Sequence, residues 1–190
     1  MLGRQRFAAY SLNMGELDEQ QKDIIGEVED QPSPGLMLEL SPTRLSIGPT
    51  RMLLNWRLDV TNGGASHIIA LRIWSDMVSA HSSVPSREQL GGPDMADARL
   101  HKVAQMTPGA QDSIAGEWQM PRNAVKLVDN SPDQLILPLA RLRCIGAGIA
   151  PTKKAFVIGL PPAPGEEILR AIQLNGDMQI HSRVSAKAVT

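Results

Sequence analysis

The sequence predicts an all-β fold, an antiparallel β-sandwich of immunoglobulin-like type. The first observation is an alternation of apolar and polar residues from Arg51 to Val60, with Leu53 the exception, which is the pattern of a strand with one buried face. The second is a series of about seven to nine short apolar runs, separated by turns rich in Gly, Pro and Asn. A βαβ fold would require helices between the strands, and the pattern does not supply them.

Residues 1–35 precede the predicted sandwich and differ from it in composition. Between Glu16 and Asp30 there are seven acidic residues and one lysine, Lys22. Apolar residues recur there at near-helical spacing, which indicates a short amphipathic helix or a partly ordered arm. The cluster Pro32-Ser33-Pro34-Gly35 is typical of a linker. We therefore predict an acidic N-terminal arm or linker over 1–35 and a β-sandwich domain over 36–190.

The first predicted strand is Leu36 to Leu40, closed by Ser41-Pro42, and a second short run extends from Arg44 to Ile47. The clearest strand follows from Arg51 to Val60. Its core-facing residues are predicted to be Met52, Leu54, Trp56, Leu58 and Val60. The turn Thr61-Asn62-Gly63-Gly64 ends this strand with residues that accept a positive φ.

The next predicted strand extends from Ile68 to Val78, and its parity places Trp74 on the face opposite the core. The core face is assigned to Ile69, Leu71, Ile73 and Met77. Residues 79–110 are predicted to be a long connection that carries a short helix around Met95 to Val103.

The second half of the chain contains two predicted hairpins. The first turns at Gly146-Ala147-Gly148, and the second turns at Asn175-Gly176-Asp177, where Asn-Gly is a strong hairpin signal. The predicted strands in this half are Asp112 to Met120, Gln134 to Ile145, Ala155 to Leu160, Ile168 to Leu174 and Met178 to Val184.

The segment Val60-Thr61-Asn62-Gly63-Gly64-Ala65-Ser66, followed by Ile69 to Met77, resembles the V-x-N-x-G strand-turn-strand of CARDB-like and DUF11-like immunoglobulin modules. The order of features from Leu36 to Val189 is similar to that of an uncharacterised family of bacterial envelope-associated sandwich proteins. The resemblance implies a fold and no catalytic residues. Its further landmarks are Leu38-Glu39-Leu40, Val78-Ser79-Ala80, Pro108-Gly109, Met120-Pro121-Arg122, Ile136 to Leu142 and Leu174 to Ala186.

Composition argues against several classes of function. The formal net charge of −1 disfavours a dedicated nucleic-acid-binding protein, and the single cysteine excludes an intrachain disulfide. Three Trp, two Phe and one Tyr offer few stacking platforms for bases or sugars. No signal peptide or transmembrane segment is visible. Because the resemblance implies a bacterial envelope-associated family, we expect a bacterial protein that is either cytoplasmic or held at the envelope through a missing anchor or a partner.

The sequence predicts no catalytic residue, no cofactor and no metal site. Gly146-Ala147-Gly148-Ile149-Ala150-Pro151 begins like a dinucleotide-binding loop, but Pro151 replaces the third glycine and no helix pattern follows. Ser66 and His67 are adjacent in the chain and would point to opposite faces of a strand. Cys144 shares parity with apolar neighbours, which indicates a packed thiol. The four histidines match no ligand spacing, and the carboxylates Glu88, Asp94 and Asp97 match no calcium loop.

One basic cluster is the strongest candidate site. Arg141 and Arg143 share a strand face, and Lys153-Lys154 begins the returning strand. If the hairpin closes symmetrically about Gly148, these four cations approach one another. Like charges opposed across a ladder are unfavourable, so a counter-anion is expected from the acidic arm, a partner protein or anionic head groups; a solvated basic face is the alternative.

These observations favour a non-catalytic structural or protein-interaction module, self-associating or binding a protein partner and not nucleic acid. The alternative is a small-ligand or carbohydrate-binding domain that uses Trp74, since Trp56 is in register with the core face of its strand. Both alternatives place the contact surface on the sandwich exterior.

Overall fold

The computed structural model describes residues 35–81, 95, 98–128, 134–176 and 178–189, and these form an all-β sandwich. The predicted acidic arm before Gly35 lies outside the described residues. A single 3-10 turn, Arg122–Ala124, interrupts the strands in the described ranges. The strands are β1 (Leu36–Ile47), β2 (Arg51–Asn62), β3 (Ile68–Ser79), β4 (Arg99–Met106), β5 (Gln111–Pro121), β6 (Leu135–Ile136), β7 (Pro138–Ala147), β8 (Thr152–Gly159), β9 (Ile172–Gln173), β10 (Gln179–His181) and β11 (Ser185–Val189).

Two large antiparallel sheets enclose one core. The four-stranded sheet has the order β10-β1-β2-β5, the five-stranded sheet has the order β11-β8-β7-β3-β4, and β6 and β9 form a small separate pair. Buried residues of both large sheets belong to one hydrophobic cluster. The predicted all-β sandwich is therefore confirmed, while its immunoglobulin-like type stays a prediction.

Strand β2 shows why the sequence pattern was informative. Its five alternating apolar residues are at most 2% exposed, whereas the residues between them are half-buried or exposed. Because β2 lies between β1 and β5, its backbone is paired on both sides and one of its faces covers the core. The predicted inward face from Met52 to Val60 is confirmed.

Strand β1 is one continuous strand, so the prediction of two separate runs was wrong. The chain passes through Pro42 with a bulge between Pro42 and Arg44, and the Thr43 hydroxyl donates to the Asn55 carbonyl oxygen at 3.1 Å. On the other side of β1, β10 pairs only with Leu45–Ile47. Proline is tolerated in a strand where its nitrogen is not required by a neighbouring strand.

A bulge in β3 also corrects the predicted inward face of that strand. The register shifts between Ile69 and Arg72, with Ala70 at φ +52°. As a result Ile68 is fully buried and Ile69 is 52% exposed, the reverse of the parity expected from a regular strand. Beyond the bulge the predicted parity holds, with Ile73 fully buried.

The helix predicted around Met95 to Val103 was wrong within the described residues. Arg99–Met106 is strand β4, which pairs along β3 from Ser75↔Arg99 to Ile68↔Met106. The local pattern of residues 99–106 is ambiguous, and pairing with the distant strand β3 gives them an extended conformation. Residues 82–94 and 96–97 of the predicted long connection lie outside the described residues.

One of the two predicted hairpins is confirmed and the other was wrong. Strands β7 and β8 close symmetrically about Gly148, which has φ +93°, with Arg143 opposite Lys153. Around Gly176 the chain does turn, at φ +78°, but β9 pairs with β6 and β10 pairs with β1. The local turn signal was correct, and the strand partners were determined by distant segments.

The turn after β2 is held by the Asn62 side chain. Its amide nitrogen donates to the carbonyl oxygens of Ser66 at 2.9 Å and Met106 at 3.0 Å, and its oxygen accepts from the Gly64 N–H at 3.1 Å. Gly63 and Gly64 are not among the described glycines with positive φ, contrary to prediction. At Gly64 the chain passes close to Gly35, and a Cβ on Gly64 would lie 3.0 Å from the Gly35 Cα. This close approach of the two backbones explains why position 64 is a glycine.

Two tryptophans join the sheets across the core. The rings of Trp56 and Trp118 are stacked, with centroids 4.4 Å apart, and the Trp118 Nε1–H donates to the Ser75 hydroxyl of the other sheet at 3.1 Å. The Trp56 ring also meets His101 of β4 edge-on, at 5.6 Å between centroids. Both indoles are 2% exposed, so the packing role predicted for Trp56 is confirmed.

The stacking of Trp56 on Trp118 requires a residue without a side chain at Gly116, and substituting this glycine tests the requirement. Gly116 lies opposite Trp56, and an added Cβ would be 2.7 Å from the Trp56 Cζ2. Because the indole is stacked and buried, it has little room to move. We expect Gly116→Ala to lower the free energy of unfolding by about 1–3 kcal/mol, measured by urea denaturation. Gly48→Ala, whose Cβ would come no closer than 3.4 Å to the Arg51 carbonyl oxygen, is the matched control. Equal stability of the two variants would contradict the packing argument.

Candidate functional site

The candidate site lies on the outer face of the five-stranded sheet and is built around Trp74. Trp74 follows the fully buried Ile73 on β3, so the pleat directs its half-buried side chain away from the core. Arg143 is its cross-strand partner on β7, and the guanidinium carbon lies 5.9 Å from the Trp74 ring centroid. This cation–π contact orients both side chains on the outer face.

Four residues on four adjacent strands continue this contact into a line. Leu100 of β4 is opposite Trp74, and Lys153 of β8 is opposite Arg143. We call Leu100, Trp74, Arg143 and Lys153 the outer row. The side chains at its two ends, Leu100 and Lys153, are exposed, while the two central side chains are half-buried.

A second cationic pair flanks the outer row. Arg72 of β3 is opposite Lys102 of β4 on one side and Ile145 of β7 on the other, and both cations are exposed. The outer row and its flank therefore combine four cations with one aromatic and two aliphatic side chains. Trp and Arg are enriched at the centres of protein interfaces.

Arg141 does not belong to the exposed part of this face. It lies opposite Asp76, donating from Nε to Asp76 Oδ1 at 2.8 Å and from a terminal nitrogen to Asp76 Oδ2, and both side chains are 11% exposed. A planar guanidinium and a carboxylate paired through two bonds satisfy each other with defined geometry. The counter-anion expected for the cluster thus comes, for Arg141, from β3.

Lys154 is separated from the other predicted cations by the pleat. It lies opposite Leu142 and shares its face of β8 with the buried Phe156 and Ile158. The structure therefore brings Arg143, Lys153 and Trp74 together on the exposed surface, while Arg141 is neutralised nearby and Lys154 lies on the other face.

The two large sheets differ sharply in charge. Strands of the five-stranded sheet carry eight Lys or Arg residues and one acidic residue, Asp76, whereas those of the four-stranded sheet carry three Arg and four acidic residues. A chain of net charge −1 thus concentrates positive charge on one sheet of its described part. Such a field favours encounter with an acidic partner. The eight cations are Arg72, Arg99, Lys102, Arg141, Arg143, Lys153, Lys154 and Lys187.

Sequence reasoning did not find Asp76, Leu100, Arg72 or Lys102. The parity of β3 would have placed Asp76 on the same face as Trp74. Its pairing with Arg141 requires knowing that β7 lies beside β3, which no local pattern indicates. Leu100 and Lys102 were missed because β4 was predicted to be part of a connection with a helix.

The remaining candidates for chemistry are accounted for by packing. Cys144 is fully buried, and this burial raises the pKa of its thiol to about 12, so the thiolate needed for reactivity is disfavoured. The His67 ring nitrogen Nδ1 lies 2.8 Å from the Gln105 amide nitrogen. Burial, and secondarily the charge of Arg99, lowers the pKa of His101, which favours its neutral form beside Trp56.

Within the described ranges, no group of three or more His, Cys, Asp or Glu residues could hold a metal ion. The carboxylates Glu88, Asp94 and Asp97 lie outside those ranges. In the same ranges, no helix has both the length and the apolar character needed to cross a bilayer.

No protein-family model matches the chain, and no curated protein matches it. A Bacteroides uniformis beta-glucuronidase 2, covalently bound to cyclophellitol-6-carboxylate aziridine, is similar over 67% of this chain and 14% of that chain, with 12% identity and a TM-score of 0.38. The putative ApaA protein from Bordetella pertussis is similar over 65% of this chain and 91% of that chain, with 13% identity and a TM-score of 0.29. Similarity at this level identifies neither a family nor an activity.

Proposed function

We propose that this protein is a non-catalytic interaction module whose outer row binds an acidic, partly apolar segment of a partner protein. The observation that carries the proposal is the composition of the exposed outer face. Arg72, Lys102, Arg143 and Lys153 surround Trp74, and the acidic residue of these strands, Asp76, is already paired with Arg141. Carboxylates of a partner would supply the counter-charge that the described strands of this surface lack.

Two features favour an acidic segment of a protein over nucleic acid or anionic lipid as the partner. Leu100 and Ile145 add apolar area beside Trp74, and a partner with apolar side chains would bury it. A single-stranded nucleic acid is usually bound by successive aromatic residues, and Trp74 is the one aromatic on the outer face of the described strands. We assign the surface to a protein rather than to nucleic acid or lipid on these grounds.

The small-ligand alternative for Trp74 has less support. Ligand sites are concave and enclose most of the ligand surface, whereas Trp74 lies on a sheet face with neighbours on both sides in the same plane. An extended surface of this kind suits a peptide or a protein surface. The immunoglobulin-like type and the envelope-associated family remain part of the proposal and rest on the turn and strand landmarks of the sequence.

The test measures binding of a defined probe to the full chain by fluorescence anisotropy. The probe is a labelled peptide rich in Glu and Leu, and its charge control is the same peptide with Gln at every Glu. We expect Arg143→Glu/Lys153→Glu to weaken binding of the acidic peptide by about tenfold or more. The Gln peptide should bind weakly to every variant, and added salt should weaken the acidic complex.

The matched control is Arg44→Glu/Arg51→Glu, which makes the same change of charge with two exposed cations of the four-stranded sheet. It should retain binding, because these residues lie outside the outer row. Equal weakening by both double variants would show a general charge effect and overturn the assignment. Tighter binding of anionic vesicles or duplex DNA than of the acidic peptide would likewise overturn the choice of a protein partner.

A further inference from the structure

A second, independent feature lies at one edge of the sandwich, where the chain crosses from one sheet to the other. Strand β10 is the edge of the four-stranded sheet, β11 is the edge of the five-stranded sheet, and residues 182–184 connect them. A cleft of about 420 Å³ opens at this crossing. Its lining consists of Leu160, Pro161, Pro162, Arg170, Ile180, His181, Ser182 and Arg183.

The side chains that line the cleft are cationic, polar or apolar, and none of them is acidic. Two guanidinium groups, an imidazole and a hydroxyl line it together with four apolar residues, and no carboxylate is among the lining residues. Glu166 and Glu167 lie in the same loop and do not line it. In the described part of the chain, Arg170 and Arg183 have no carboxylate within ion-pair distance. Positive charge is therefore gathered in this cleft without a counter-ion from the described residues.

Arg170 is held in place by the loop that it closes. Its backbone exchanges hydrogen bonds with Leu160 at 2.9 and 3.0 Å, and its side-chain Nε donates to the Pro161 carbonyl oxygen at 2.9 Å. This bond uses one edge of the guanidinium, so the terminal nitrogens are left without an acceptor among the described residues. A pre-oriented guanidinium fork loses little side-chain freedom when it binds an oxyanion.

His181 supplies a polar atom that is not satisfied within the described protein. Its Nε2 is buried and has no hydrogen-bond partner there. Because this nitrogen is enclosed by the protein, it contributes no donor to the open cleft, and His181 lines the cleft through the rest of its side chain and backbone. Arg183 and Ser182 are exposed at the same cleft, and among the described residues no side-chain bond of either is present.

We propose that this cleft binds the oxyanion group of a small ligand, a phosphate or a carboxylate, through Arg170 and Arg183. Guanidinium groups are the donors that proteins use most effectively for such groups, because their planar forks match the oxygens of a carboxylate or phosphate. Leu160, Pro161, Pro162 and Ile180 provide apolar surface for the body of the ligand, and the volume suits a small molecule. The cleft shares no residue with the outer row, so the inference does not depend on the interaction function.

Isothermal titration calorimetry on the full chain tests the inference with inorganic phosphate, succinate and chloride at matched ionic strength. We expect saturable binding of phosphate or of succinate, and the tighter of the two identifies the oxyanion. Arg183→Met should weaken it by about tenfold or more. Arg183 has no side-chain partner among the described residues, so thermal unfolding of this variant without anion should match the wild type.

Two further variants separate the cleft from general charge. Arg143→Glu/Lys153→Glu, in the outer row, and Arg51→Met, on β2 of the four-stranded sheet, should both leave anion binding unchanged. Amide resonances of Ser182 and Arg183 should shift on titration. Equal binding of all three anions, or phosphate and succinate binding that survives Arg183→Met, would show an adventitious ion only and overturn the inference.

Discussion

Replacing Asp76 with alanine is expected to lower the free energy of unfolding by about 3–5 kcal/mol, because it removes the carboxylate that binds the buried guanidinium of Arg141 through two hydrogen bonds. Both side chains are 11% exposed and joined by two hydrogen bonds, with Arg141 Nε to Asp76 Oδ1 at 2.8 Å. Water cannot easily replace the lost carboxylate at this depth. Urea denaturation of the variant, read by circular dichroism, measures the loss.

The Asp76–Arg141 pair as a whole is expected to contribute much less to the free energy of unfolding than the loss caused by either single substitution suggests. In Asp76→Leu/Arg141→Met both charges are removed and apolar volume is restored, so stability should return to within about 1–2 kcal/mol of the wild type. Arg143→Met is the matched control on the same face of β7, and it should cost no more than about 1 kcal/mol through its cation–π contact with Trp74. Additive losses in the double variant would contradict the pairing argument.

This result would also separate stability from binding on the outer face. Arg141 serves the fold through Asp76, whereas Arg143 and Lys153 lie opposite one another with no acidic residue on their own strands. Substitutions at Arg143 and Lys153 should therefore change binding with little effect on folding. The predicted basic cluster of four thus divides into one structural residue, Arg141, two residues on the exposed outer face, Arg143 and Lys153, and Lys154 on the opposite face of β8.

The parts of the fold that could be predicted from the sequence are those decided within one strand or one turn. The inward face of β2 follows from its alternation, and the register of the β7–β8 hairpin follows from Gly148. Pairing between distant strands could not be predicted in this way. Strands β9 and β10 flank a genuine turn and still join different sheets, and the bulge at Ala70 reverses the burial of Ile68 and Ile69.

The same division applies to the candidate site. The parity of β3 was enough to place Trp74 outside the core, and hairpin symmetry was enough to place Lys153 opposite Arg143. The burial of Arg141 could not be foreseen, since it depends on β3 and β7 being neighbours. The oxyanion cleft combines residues near 160, 170 and 181 through a sheet crossing, and no sequence spacing signals such an arrangement.

The second large effect is expected at Asn62, whose amide joins the turn after β2 to the end of β4. Asn62→Ala removes two donors and one acceptor, leaving the buried Met106 carbonyl without the Asn62 side-chain donor. The expected loss is about 2–3 kcal/mol in the free energy of unfolding. Asn55→Ala is the control on the same strand, since its side-chain bond to Glu117 is 3.5 Å long and only partly buried.

Asn62→Asp makes this prediction sharper through its dependence on pH. The introduced carboxylate would face the carbonyl oxygens of Ser66 and Met106 in place of a donor, so folding should raise the pKa of the introduced carboxyl above the unfolded value of about 3.9. A raised folded pKa means that the variant is most stable below the unfolded pKa and loses stability as pH rises through the folded pKa. Urea denaturation across this range should show the variant diverging from the wild type towards neutral pH. A constant difference between the two proteins would indicate that the Asn62 amide donates no bond that matters to the fold.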